Sequence, residues 1–424
     1  MLIVFSYGRE GRLRPELDRP MGGILTSALG LAISLAQRGH EAHLFGPCKH
    51  PGSNYGVTFH DRSEFAEFTK IHNIDVLIVI PEVLPLLMPV RARARVVWTG
   101  NAHPTGDCAL EAPWTWAVDI GDKGKRARLY SMAVLHPYCD RVVVKSQWQA
   151  KHVCSACGIP SSKIAVRYQG VPLAYYGGPA PERHRHRIVY TSEVRRGLNV
   201  LLRLFPEVRS AVPEAELHIF NDYETAIASQ HLPGAAQPGV HWRGRLSKSQ
   251  LAHELRSAAI MAYPNTFEET FCTSVAEAQA AGLPVVTSDL AALAERVSDG
   301  VDGCLIREMA DLPRYQTDFV EAVIRLLRDN ELWTRMGGEA SKKAWQLYDW
   351  GPIAATWEDE LTALVSSREP RLPSPTLNLL DPSLLTVTEG EVSARVPPTL
   401  AREWLAKACQ SFGYDLNDMN WTTD

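Results

Sequence analysis

The 424-residue chain has no apolar run near the roughly 20 residues that a membrane-spanning helix requires. Its opening, MLIVFSYGREGR, has four apolar residues after Met1 and no positive charge before them, too little for a secretory signal. Both absences lead to the expectation of a cytoplasmic protein without a transmembrane segment. Positive charge is not in excess either. Lys and Arg number 44 against 48 Asp and Glu, a net −4, so nothing pulls the chain generally toward nucleic acid or an anionic bilayer. Of eight scattered cysteines only Cys154 and Cys157 form a CxxC. With no second pair a zinc ribbon is excluded, and the two read as ordinary residues of an amphipathic helix over 147–158. Unpaired thiols fit a reducing compartment.

What is present is a globular balance, 45% apolar and 22% charged, on a chain too long for one ordinary core. Short β-branched runs alternate with helical patterns, the signature of βα units and parallel sheets. In the first half, strands are predicted over 2–5, 42–45, 74–80, 95–99, 141–145 and 164–167, with an amphipathic helix over 22–37. The second half repeats the scheme, with strands over 188–191, 217–220, 241–242, 260–263 and 285–287. Its helices are predicted over 198–210, 247–256, 273–281, 317–327 and 331–348. A Pro- and Gly-rich segment, 171–187, joins the halves and reads as a solvated linker; its His184 and His186 lack acidic or cysteine partners for a metal. The divisions expected are 1–182, 187–345, a helix over 346–366 that returns to the first domain, and an extension over 367–424. Prolines break up that extension until 400–411, and it reads as a segment wrapped on the body. Two Rossmann-like, doubly wound domains make a cleft, with ligands at the carboxyl ends of the strands.

The most informative stretch is 263–295, YPNTFEETFCTSVAEAQAAGLPVVTSDLAALAE, read as strand, loop, helix, strand. If Thr273 opens the helix, its free amides and dipole offer an anion site. Glu277, one turn in, is placed for a ribose diol, and Glu269 ahead of the helix for a sugar ring. Glu277 lies among Val275, Ala276 and Ala278, where an unpaired carboxylate is costly. Glu268 and Glu269 also admit a plainer reading, as a solvated charge pair favoured by the dipole. A second signal is Pro20-Met21-Gly22-Gly23-Ile24, whose paired glycines let backbone approach a ligand. It is not a GxGxxG, which argues against a nicotinamide or flavin.

This stretch resembles the E-x7-E signature of family 4 glycosyltransferases of the GT-B fold, here Glu269-x7-Glu277 followed by AAGLPVVTSD and Glu295. The resemblance covers roughly 1–366 at fold level and is specific over 188–305, with further matches at 242–245, 300–303 and 348–350. It implies that Glu269 contacts the donor sugar and that Glu277 binds the ribose. Phe271, Cys272, Thr273 and Ser274 would supply backbone amides to sugar hydroxyls and the β-phosphate. The family usually has Gly where this chain has Cys272, which could narrow the sugar pocket. Gly22 and Gly23 correspond to a glycine loop facing the donor phosphates and the acceptor. Arg196, before Gly197, corresponds to a cation that neutralises the leaving diphosphate, with Arg195 as substitute for a second. His103, after VVWTGNA, corresponds to a histidine beside the anomeric carbon.

The chain contains no Asp-x-Asp, so the usual carboxylate clamp for a nucleotide-sugar metal is missing and no metal or resident cofactor is expected. The implied activity is a retaining transfer of a hexosyl group from a nucleotide sugar, such as a UDP- or GDP-sugar, to a small-molecule or glycan hydroxyl. Glu269, His103 and Arg196 would act at the reacting centre. A non-catalytic sugar-nucleotide-binding protein and a GT-B-type epimerase are the alternatives. Acceptor choice would lie in loops such as 105–125, where Trp114 and Trp116 could stack on a ligand or simply pack.

Overall fold

The computed structural model describes residues 1–7, 13–80, 84–100, 136–157, 159–229, 231–373, 406–407 and 409–415, together with the backbone of strands over 115–119, 126–131, 386–389 and 392–395. The first sheet holds β1 (Leu2–Tyr7), β2 (Glu41–Gly46), β3 (Gly52–Asn54), β4 (Val57–Asp61), β5 (Ile74–Ile80) and β6 (Ala92–Trp98), closed at one edge by β9 (Arg141–Val144) and β10 (Ile164–Val166). Its order is β10-β9-β6-β5-β1-β2-β4-β3, parallel except for the β3–β4 hairpin. Strands such as β5, IDVLIVI, are buried on both faces, which is why their apolar runs are continuous rather than alternating.

The second sheet has β11 (Arg187–Tyr190), β12 (Glu216–Ile219), β13 (Val240–Trp242), β14 (Ile260–Tyr263), β15 (Val285–Ser288) and β16 (Gly303–Ile306). Its order, β13-β12-β11-β14-β15-β16, is the doubly wound pattern, all parallel. In each sheet the order reverses beside the first strand, between β1 and β5 and between β11 and β14. Loops leaving the carboxyl ends of these strands are the expected ligand positions.

Helices cover the sheets: α1 (Gly23–Gln37) and α2 (Phe65–Ile71), α3 (Gln147–Cys157), α4 (Leu198–Ala211), α5 (Tyr223–Ser229), α6 (Lys248–Ser257), α7 (Thr273–Ala280), α8 (Leu293–Arg296), α9 (Pro313–Arg328), α10 (Asn330–Leu347) and α11 (Trp350–Val365). The expected return helix is α11. Ile353, Ala354, Trp357 and Leu361 bury against the first sheet, with Trp357 edge-on to Trp98. Trp350 wedges between two glycines: a Cβ at Gly30 would lie 2.2 Å from its ring, and one at Gly170 2.6 Å. Only glycine leaves room for that ring.

The expected linker is pinned rather than solvated. Val171, Leu173 and Tyr176 are buried in the second core, and Arg183 donates to the carbonyls of Ala258 (3.0 Å) and Ala281 (2.6 Å). The described parts of the extension on either side of its strands lie on the body. Arg371 exchanges backbone hydrogen bonds with Ala92 at the start of β6, and Asp140 receives both Arg368 and Arg371. Two hairpins then meet in a separate antiparallel sheet, β18-β17-β8-β7, built from β7 (Thr115–Asp119), β8 (Arg126–Ser131), β17 (Thr386–Glu389) and β18 (Val392–Arg395). Part of the expected 105–125 loop is therefore strand. Cys409, Phe412 and Tyr414 finish in the first core, with Phe412 edge-on to Phe65 and Tyr414 hydrogen-bonded to Thr69. Among the described residues no helix is long and apolar enough to cross a membrane.

Phe412 is 1% exposed, so Phe412→Ala is expected to cost about 3–5 kcal/mol in urea unfolding. A loss below about 1 kcal/mol would mean that the segment merely rests on the surface.

Candidate active site

The loop leaving β14 is stiffened before it reaches its carboxylates. Asn265 accepts from Phe267 N at 3.1 Å and its own carbonyl accepts from Ser288 Oγ at 2.7 Å. Glu269 follows, 5% exposed, and its Oε1 receives Tyr263 Oη at 2.8 Å and Arg196 Nη1 at 2.7 Å. Arg196 reaches it from the turn after β11, lying 4.4 Å over the Phe267 ring. Burial works to lower its pKa, but Glu269 outweighs that and holds the guanidinium above its ordinary value. Gly197, at φ 108°, permits this approach, since a Cβ there would meet Pro264 O at 1.9 Å. The loop pair is thus Arg196–Glu269; Arg195 is exposed on the same turn.

Cys272 stands at the head of α7 with φ 67°, a left-handed conformation that glycine adopts without strain. The backbone there, rather than the side chain, accounts for a preference for glycine. Its thiol is buried and pushed well above the ordinary range. Phe271 is buried beside it, while Thr273 and Ser274 are half-exposed at the first turn of the helix.

Glu277, one turn inside α7, is 3% exposed and pairs with Lys248 Nζ at 2.7 Å. Sequence reasoning missed Lys248. The available signal was a lysine in the first turn of a helix, capped by Ser247 and Gln250, where the dipole disfavours a cation without an acidic partner.

Loops of the two sheets meet here. A Cβ on Gly23 would lie 2.7 Å from Thr273 Oγ1, so the starts of α1 and α7 abut, with Gly22 beside them. Buried Gln169 donates to Thr273 Oγ1 and accepts from Ser27 Oγ at 2.6 Å and from Lys145 Nζ. Thr270 Oγ1 donates to Gly100 O, beyond β6, at 2.8 Å. Asp18 accepts from Ser249 N at 2.8 Å and Ser249 Oγ at 2.6 Å at the head of α6; those bonds hold its carboxyl below the usual range. Lys145 and Gln169 were also invisible in the sequence, because only folding brings them to Thr273. His103 and Trp114 lie outside the described residues, as does the side chain of Trp116.

Two paired carboxylates, a half-exposed helix head and nearby cations can together bind an anion joined to a polyol. Among the described residues one trio could ligate a metal: Glu216, His218 and His241. It lies on β12 and β13, the former beginning at Glu216, away from the carboxyl-end loops. His218 Nε2 already bonds Glu216 at 3.1 Å, and burial pushes its pKa down to about 4.

Lys248→Met should destabilise the fold by about 3–5 kcal/mol in urea, because it strands the Glu277 carboxylate; Lys248→Met/Glu277→Leu should regain much of that loss. A near-neutral single variant would refute the pairing. The His218 shift carries a sign. The unfolded imidazole takes a proton from pH 6.5 downward while the folded one waits until about 4, so stability falls with pH across that window. His218→Leu should flatten the stability profile there, read by denaturation at each pH.

Residues 185–329 match the family model described as "Glycosyl transferases group 1", and residues 21–175 that of "Glycosyltransferase Family 4". The phosphatidyl-myo-inositol mannosyltransferase of Mycolicibacterium smegmatis is 27% identical over 232 residues, 52% of this chain and 58% of that one. The D-inositol 3-phosphate glycosyltransferase of Streptomyces coelicolor is 33% identical over 137 residues, 32% of this chain and 28% of that one. The matched parts thus span about half or less of these curated relatives. Among solved structures, sucrose-phosphate synthase from Thermosynechococcus elongatus superposes with a TM-score of 0.68 at 14% identity, covering 87% of this chain and all of that one. Anabaena HepE, solved with UDP and glucose, gives 0.59 at 15% identity over 86% of this chain and all of that one. The fold is GT-B, and the chain belongs to the family 4 glycosyltransferases.

Proposed function

We propose that this chain transfers a hexosyl group from a nucleoside-diphosphate sugar to a hydroxyl of a small-molecule or glycan acceptor, with retention of anomeric configuration. The observation that carries this reading is the convergence of Glu269 and Glu277, each already paired with a cation, on the head of α7 opposite Gly22 and Gly23. In this reading Glu277 receives the ribose hydroxyls, and the amides of Phe271, Cys272, Thr273 and Ser274 receive the β-phosphate and sugar hydroxyls. Preorganised donors of this kind are worth roughly 2.7–4 kcal/mol each where measured.

Arg196 sits between the two tasks of the reaction. It anchors Glu269 in the unliganded site, and on donor binding it neutralises the leaving diphosphate, with exposed Arg195 as a second cation. Glu269 holds the sugar and stabilises charge, and His103 stands beside the anomeric carbon. The departing phosphate then takes the acceptor proton on the face of attack. Charge on the diphosphate is met by arginine, amides and the helix dipole, so the reaction proceeds without a metal.

The relatives named for inositol-bearing acceptors support a polyol hydroxyl as the nucleophile, and the HepE complex supports a UDP-sugar donor. The first domain, 1–182, supplies the acceptor side and 187–345 the donor side. Free thiols such as Cys48, Cys139 and Cys409 suit the cytoplasm. A non-catalytic donor-binding protein is the second reading, favoured by the Arg196–Glu269 pair that occupies the leaving-group cation; donor binding without turnover across acceptors would select it.

A thermal-shift screen of UDP-, GDP-, ADP- and TDP-sugars in EDTA tests the proposal. A donor at about 100 times its Kd should add roughly 2.7 kcal/mol, and Glu277→Ala should abolish the shift. No shift with any donor would refute the site.

A further inference from the structure

Glu295 and Arg296 are adjacent on the second domain, and both reach the first. Glu295 Oε2 accepts from Gln147 N at 3.0 Å and Oε1 from Trp148 N at 2.7 Å. One carboxylate therefore closes two of the free amides at the head of α3, in the other domain. Arg296 is fully buried, and its guanidinium nitrogens find few polar partners beyond the Tyr348 hydroxyl. Its guanidinium is held between rings instead: 4.1 Å from the centroid of Tyr168, 4.7 Å from Phe271 and 5.8 Å from Tyr348. A charge partner is Glu295 Oε2, 3.7 Å away.

The three rings belong to different parts of the molecule. Tyr168 follows β10 in the first domain, Phe271 lies in the donor loop, and Tyr348 begins the crossing into α11. A guanidinium deprived of water needs those faces, and desolvated cation–π contacts are worth about 2 kcal/mol or more. Withdrawal of the first domain would take Tyr168 and the α3 amides with it and let water reach both charges. Phe271 immediately precedes Cys272, whose left-handed backbone sets where the amides at the head of α7 face.

We propose that Glu295 and Arg296 are positioning residues that hold the Phe271–Cys272 turn in its phosphate-receiving form while the first domain is docked. The proposal rests on the donor-site reading above. They touch neither sugar nor nucleotide; they act through the loop and through α3.

The test is calorimetric titration of UDP, UMP, GDP and GMP into wild type, Glu295→Gln, Arg296→Met and Arg296→Lys. The turn serves the β-phosphate, whereas Glu277 serves the ribose. Diphosphate affinity should therefore fall about tenfold in Glu295→Gln and Arg296→Met, while monophosphate affinity stays within roughly twofold. Arg296→Lys keeps the charge but not the planar face and should recover only part of the loss. Equal losses for mono- and diphosphates, or none, overturn the proposal. If Arg296→Met does not fold, Glu295→Gln carries the same comparison alone, since that side chain is part-exposed. Wild type that binds none of the four nucleotides refutes the donor-site reading itself, and this proposal with it; wild type that binds while the variants fail to discriminate refutes only the proposal.

Discussion

A carboxylate withdrawn from water must take a cation with it, and that requirement organises the centre of this protein. Glu269 and Glu277 are both nearly buried, and each draws its partner from the start of a different helix: Arg196 from the turn before α4, Lys248 from the first turn of α6. Two other connections of the second sheet are thereby tied to the one that carries both carboxylates. The pairs also fix the loop ahead of any ligand. The left-handed turn at Cys272 completes that arrangement, at the cost of strain that a glycine would not carry.

Three contacts between the domains share one physical kind, a polar group of one domain laid at the head of a helix in the other. Asp18 does this to α6, Glu295 to α3, and Gln169 reaches Thr273 at α7. Helix heads carry unpaired amides and partial positive charge, so they accept such partners and release them to water at little cost. Trp350 is different. Its ring between Gly30 and Gly170 is close-packed, and it places the permanent joint on the side where α11 crosses back. A tight apolar joint at one end and exchangeable polar contacts at the other suit a cleft that opens and shuts.

The sequence carried the fold where burial leaves a periodic trace. The continuous apolar strands and the face of α1 were legible, as was Glu269-x7-Glu277, because carboxylates ahead of and inside a helix of small residues are chemically conspicuous. Partners were not. Lys248 and Glu277 are 29 positions apart, and Lys145, Gln169 and Thr273 come together only when the domains meet. Of the two adjacent arginines, spacing could not say that Arg196 turns inward to Glu269 and Arg195 outward. The β3–β4 hairpin and β16 are short strands at sheet edges, with weak apolar signal, and so passed unread. The segment 171–187 looked like a free tether because Pro and Gly dominate it, yet its few apolar residues and Arg183 dock it.

The tail that ends in Phe412 and Tyr414 has a bearing on how the molecule is made. The ribosome delivers strands β1 to β10 first, but the α2 side of that core, which Phe412 and Tyr414 cover, stays open until residues 409–415 emerge. All of β11 to β16 and their helices have been synthesised by then. The domain that comes first along the chain is therefore the last to be sealed. Its partner can close its own core beforehand and serve as the surface on which the earlier half is finished.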